Sequence, residues 1–201
     1  GLNPSNCPVE VAIAAWPWGA YLGEEALEEG VDVAISSWRK YGSDKIPTNA
    51  KTTGAYVNSV LASLEATGND YVEAILLNEA GNVAEGPGEN LFLVRDGEIH
   101  TPGLSEANLD GITRRSVIQL ARDLGYTVHD DASISRGELY TADELFFSGT
   151  AAEVTPIRSV DDNQIGSGTK GPVTDEIQAE FFDVVETMPE AYADWFTPVD
   201  A

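Results

Sequence analysis

Basic residues are scarce in this chain of 201 residues: 11 Lys and Arg stand against 34 Asp and Glu, for a formal net charge of −23. A field of that sign repels nucleic acid phosphates and anionic membrane surfaces, so neither is an expected partner. Cysteine is limited to Cys7, which excludes an internal disulfide, and without a Cys-x-x-Cys pair there is neither a dithiol redox motif nor a structural zinc site. The two histidines, His100 and His129, lack the spacing of a zinc motif, and no metal site is expected. No apolar run approaches the ~18 residues of a membrane span. The segment GLNPSNCPVE has neither the basic nor the apolar part of a secretory leader. The expectation is a soluble protein of the cytoplasm. GxSxG, P-loop and GxGxxG motifs are also missing, and GPGEN lacks the length and placement of a dinucleotide fingerprint.

Apolar residues are plentiful, at 42%, enough to build the core of one substantial domain or two small ones. The acids are interspersed among them, as in EEALEEG and TDEIQAEFFDVVE, which describes a solvated surface around a core rather than an acidic tail. Self-repulsion on this scale weakens a compact state at ordinary ionic strength, so the expected setting is the high-salt interior of a halophile.

Residues 9–16 (VEVAIAAW) and 31–38 (VDVAISSW) are predicted strands. Over residues 53–66, Val57, Val60, Leu61 and Leu64 recur at helical steps. EAILLNEAGNVAEG has the form of a hairpin, and NLFLVRDGEIHTP repeats it with Asp96-Gly97 at the turn, together predicting an antiparallel meander. A helix over 112–124 stops at Gly125, the strand YTVHDD and a short helix in SRGELYTAD follow, then the strand ELFFSGT, and an amphipathic helix covers 175–186. The expected fold class is α+β, with helices around an antiparallel sheet.

Only four lysines occur. Lys51, in IPTNAKTTGAY between a Pro-led loop and a helix start, can be aimed by fixed backbone and act as a Schiff-base nucleophile; the alternative is a surface lysine relieving nearby carboxylates. EGPGEN forces the backbone through a tight path that presents Glu85 or Asn90 to a buried site, unless it is an ordinary acidic loop. The small residues of SGTAAE and the helix start GITRR each offer backbone amides to an anion, with Thr150 and Thr113 as hydroxyl donors or simple caps. Trp16, Trp18 and Tyr21 form an aromatic group suited to core packing, to a subunit contact, or to a substrate wall.

IPTNAKTTGAY, AEGPGENLF, LDGITRR and FFSGTAAEVTPIRSVD, in this order, resemble the branched-chain amino acid aminotransferases of the pyridoxal-phosphate fold-type IV group, over roughly residues 9–185. The resemblance implies that Lys51 carries pyridoxal 5′-phosphate as a Schiff base and shuttles the substrate proton. It places Glu85 at the pyridine nitrogen and Tyr56 on the phenolate oxygen. Ile112, Thr113 and Thr150 would hold the phosphate, Thr150 and Ala151 the substrate carboxylate, and Trp18 and Tyr21 the apolar pocket. Leucine, isoleucine or valine would donate to 2-oxoglutarate, with the fold's D-amino acid aminotransferase and aminodeoxychorismate lyase activities, or a non-catalytic assembly role, as alternatives. Thr52 and Thr53 replace the glycine-rich sequence usual after the lysine, and Pro87 a small residue in EGxGEN. The resemblance also implies a pseudo-barrel large domain over 25–201, preceded in 1–24 by the last strand of a small domain that is otherwise absent. Weak turnover by this chain alone and assembly into a homo-oligomer are further expectations.

Overall fold

Leu91 and Leu93 face one apolar cluster while Phe92 and Val94 face another, the two-residue alternation of a strand covered on both sides. That double burial explains why NLFLV and ELFF read as continuous apolar runs rather than alternating ones. The computed structural model describes residues 2–19, 21–23 and 25–198. Its elements are α1 (Ala26–Glu29), β1 (Val31–Arg39), α2 (Tyr56–Thr67), β2 (Glu73–Leu77), β3 (Val83–Glu85), β4 (Asn90–Arg95), β5 (Glu98–Pro102), α3 (Ile112–Asp123), β6 (Val128–Ala132), α4 (Arg136–Leu139), β7 (Glu144–Gly149), β8 (Glu153–Val160), β9 (Asn163–Gln164) and α5 (Pro172–Thr187).

The strands form a mixed sheet, curled into a half-barrel, in the order β3-β2-β1-β8-β7-β4-β5-β6, with β9 on β8. This is the expected α+β class with packed helices. The meander is different, however. Its two hairpins exist, but β4 lies between β5 and β7, and β3 pairs only with β2. Strand β1 runs parallel to both β2 and β8, and β5 runs parallel to β6. Strand β8 joins the two halves of the sheet, although Pro156 interrupts its sequence pattern and weakens the local strand signal.

One face of the sheet packs Val33, Ile75, Leu93, Phe147 and Ile157 together; the other packs Phe92, Val94, Phe146 and Val154 against α3 and α5. Phe92 and Phe146 are cross-strand partners whose rings stack at 4.9 Å. Helix α2 forms as expected but turns the other way. It buries Ser59, Ala62 and Ala66 against Ala74 and Leu76, while Val57, Val60 and Leu64 are exposed. Small residues form the face that packs on β2, which leaves the larger apolar side chains on the outer face of the helix. Helix α5 starts earlier than its apolar spacing indicates, because Pro172 suits the first helical turn and the Glu144 carboxylate accepts the Val173 and Thr174 amides at 3.0 and 2.7 Å.

The strand predicted over residues 9–16 is not present: this stretch has no regular structure, and Val9, Val11 and Ile13 are almost fully exposed. A strand needs a neighbour for its backbone groups, and none of the described strands pairs with it.

Candidate active site

Three connections converge on the carboxyl-bearing end of β3. Lys40, the residue after β1, is buried with its Nζ 2.5 Å from Glu85 Oε1. Glu85 Oε2 accepts the Leu109 amide at 2.8 Å and the Asn90 side-chain amide at 3.3 Å, and Asn90 donates also to the Leu109 carbonyl at 2.9 Å. These bonds tie the 86–89 loop to the segment leading into α3. Gly111, the N-cap of α3, fits because a Cβ there would run into Asn90 Oδ1. Burial pushes the Glu85 carboxyl up, and the Lys40 ammonium opposes that push.

Lys51, Tyr56 and Glu85 line one narrow cavity together with Lys40, Tyr41 and Thr48. The structure thus brings together the lysine, the tyrosine and the glutamate picked out by the sequence. The short helical turn Thr53–Ala55 leads directly into α2, placing Tyr56 at the helix start and Lys51 just before it. Burial, followed by the Glu85 charge, raises the Tyr56 phenol above its ordinary range, so it remains a proton donor at neutral pH. Lys51 also lines a second cavity, of ≈ 610 Å³, with Trp18, Gly88, Thr150, Ala151 and Glu153. That volume suits a small organic ligand. The lysine stands on the boundary of both spaces.

Other sequence-selected residues are less closely gathered. Trp18 stacks on Trp16 at 5.9 Å and meets Tyr21 edge-on at 6.3 Å. All three rings are substantially exposed, so they are not core packing. Tyr21 lines neither cavity, but burial and the charges of Glu89 and Glu73 push its phenol up to about 12. The Ile112 side chain opens onto a separate groove with Phe181, Val184 and Trp195, which leaves only its backbone amide for an anion. Thr113 is buried one residue inside α3, and Gly111 rather than a threonine occupies the cap.

Sequence reasoning passed over Lys40, Glu73 and Glu89. The scarcity of lysine was a signal for Lys40, since a basic residue beside an apolar strand in so acidic a chain needs a partner. Glu73 and Glu89 are both buried, and burial raises both carboxyls; for Glu89 the Glu73 charge adds to it and the value reaches about 8. Glu89 Oε2 accepts the Gly88 amide at 3.0 Å, whereas its Oε1 has no hydrogen-bond partner. The only sequence trace of this acid pair is two glutamates inside otherwise apolar or glycine-rich segments.

Glu85 and Lys51 thus share one cavity lining, an arrangement open to Schiff-base chemistry at the lysine. The family profile for amino-transferase class IV matches residues 2–160, and the chain belongs to that family. Within it, the chain is 49% identical over 199 residues to the branched-chain-amino-acid aminotransferase of Pseudomonas aeruginosa, covering 99% of this chain and 64% of that enzyme. The crystal structure of the Escherichia coli branched-chain amino acid aminotransferase superposes with a TM-score of 0.90 at 49% identity, covering 93% of this chain and 61% of that one. The branched-chain aminotransferase of the thermophilic archaeon Thermoproteus uzoniensis, solved with norvaline, gives 0.86 at 46%, covering 93% and 60%. This chain therefore spans less than two thirds of the length of these relatives. A further branched-chain amino acid aminotransferase crystal structure, with pyridoxamine 5′-phosphate, superposes at 0.86 with 48% identity, covering 92% of this chain and 60% of that one.

Proposed function

We propose that this chain is the cofactor-binding part of a branched-chain amino acid aminotransferase, which passes the amino group of L-leucine, L-isoleucine or L-valine to 2-oxoglutarate. The observation that carries this reading is Lys51 bordering both the ≈ 610 Å³ cavity and the narrow cavity that holds Tyr56 and Glu85. Residues 25–201 form the cofactor-binding domain and residues 1–24 an interdomain segment.

The residues present fit pyridoxal 5′-phosphate. A carboxylate offers about four acceptor positions; the three donors around Glu85 leave one for a protonated ring nitrogen. When bound, the cofactor supplies an electron-withdrawing ring that acidifies the substrate Cα–H. Lys51 would supply the amine that holds the cofactor and would carry the substrate α-proton. Glu85 would meet the ring nitrogen with its carboxylate, which Lys40 keeps aimed. The Tyr56 phenol, raised by burial and so protonated, would donate to the ring oxygen. The amides of Ile112 and Thr113 at the start of α3, with Thr150, would hold the phosphate. Thr150 and Ala151 bind the substrate carboxylate, and Trp18 and Tyr21 border its apolar side chain. The exposed Val57, Val60 and Leu64 on α2 support assembly as a homo-oligomer. On this reading the chain works in the cytoplasm, on small amino and oxo acids, and the net charge of −23 argues against nucleic acid as a partner; no helix among the described residues is long and apolar enough to cross a membrane.

The test is borohydride reduction of the protein mixed with pyridoxal 5′-phosphate, followed by peptide mass mapping. The label is expected on Lys51 alone and to be absent from K51A; a label on Lys40 or Lys45 instead overturns the assignment. Single-turnover absorbance changes with L-leucine and none with D-alanine are expected, and the reverse preference would favour a D-amino acid enzyme.

A further inference from the structure

His100 and His129, 29 positions apart in sequence, are directly opposed across the parallel β5–β6 pair. Their rings stack at 4.5 Å, tilted by 15°. Glu98, two residues before His100 and hence on the same face of β5, places its Oε2 2.8 Å from His129 Nε2. One ligand atom from each of the three side chains lies within 4.8 Å of the others. The cluster sits on the edge of the sheet, since β6 ends the strand order, and its residues line neither of the two cavities at Lys51.

We propose that Glu98, His100 and His129 form a binding site for a divalent transition-metal ion of the zinc, nickel or copper type. Two imidazoles and one carboxylate are the ligand set these ions prefer, whereas calcium and magnesium favour all-oxygen cages. Around a tetrahedral zinc with ~2.0–2.1 Å bonds, neighbouring ligand atoms stand roughly 3.3 Å apart. Bringing the observed separations to that value requires the rings to turn out of their stack. Glu98 and His129 are exposed and His100 half-buried, so the side chains have room to turn. The nearby Arg95 is engaged by Glu138 at 3.3 Å, and the net charge of −23 concentrates cations at the surface. A bound ion would clip the edge strand β6 to β5. Three protein ligands leave a further position for water or a small anion.

The experiment uses the chain without a polyhistidine tag and titrates it with ZnCl2 by calorimetry in a non-coordinating buffer. One equivalent is expected with a Kd on the order of 10 µM, together with a melting temperature a few degrees higher at about ten times that concentration. MgCl2 should give neither. H100Q and H129Q should each weaken binding by about 100-fold, and E98Q by about tenfold. Because the chain has two histidines, copper-loaded unsubstituted protein provides an assignment that needs no variant: its EPR spectrum should show two imidazole nitrogens. Oxygen-only coordination, zinc uptake unchanged in the double histidine variant, or no uptake below about 1 mM each overturns the proposal.

Discussion

Glu85, at the end of β3, and Glu89, in the loop that follows, lie four positions apart and are both buried, but they differ in their partners. Glu85 is surrounded by donors, with Lys40, Leu109 and Asn90 around it, while Glu89 is buried with one oxygen unpartnered and Glu73 acting on it. The Glu89 carboxyl, raised from 4.5 to about 8, keeps a proton in the folded protein that the unfolded chain has already released. Between those values the native state binds more protons, so stability falls as pH rises and levels off above about 8. Asp32, Glu65 and Glu138, whose carboxyls are lowered by their partners, act in the opposite sense, but only as pH falls below the ordinary carboxylate range. Urea unfolding from pH 5 to 9 should therefore show a declining midpoint. In E89Q that decline should shrink by more than ~1 kcal/mol; an unchanged slope would remove Glu89 as its source. None of this was legible from residue identities, because a buried and a solvated glutamate look alike until packing decides which loses its water.

At the scale of elements, the sequence located most strands and helices, and the departures have separate causes. Strand β8 was obscured by Pro156, and the early start of α5 by a cap that comes from Glu144 on another strand. The spacing of α2 was correctly helical, yet its buried face is the small-residue face. Helix α3 depends on its entry: Gly111 leaves the space that Asn90 occupies while bonding Leu109 and Glu85. G111A should displace Asn90, cost about 1–3 kcal/mol, and weaken cofactor affinity by loosening Glu85. A lowered urea midpoint at unchanged m-value would report the first effect and fluorescence titration with pyridoxal 5′-phosphate the second. Stability and affinity both like those of the parent chain would show that this junction does not position the site.

Over the whole molecule, a net charge of −23 is balanced locally by few ion pairs, most of them exposed and individually weak. Screening shortens the Debye length from about 10 Å at 0.1 M salt to about 3 Å at 1 M. We propose that the protein is suited to a salty interior, and its melting temperature should climb by several degrees between 0.1 and 2 M KCl. A flat or falling curve would mean that the acids are already accommodated at low salt.

The sequence by itself determined the sign of the surface, the family motifs around Lys51, Glu85, Gly111 and Thr150, and most local elements, because these depend on composition and short-range spacing. Tertiary structure alone decided the Lys40–Glu85 pairing, the raised carboxyls of Glu73 and Glu89, and the stacking of His100 on His129. Each of these depends on which strands become neighbours and on what burial removes from water. Backbone pairing across a mixed sheet joins residues that no local pattern connects.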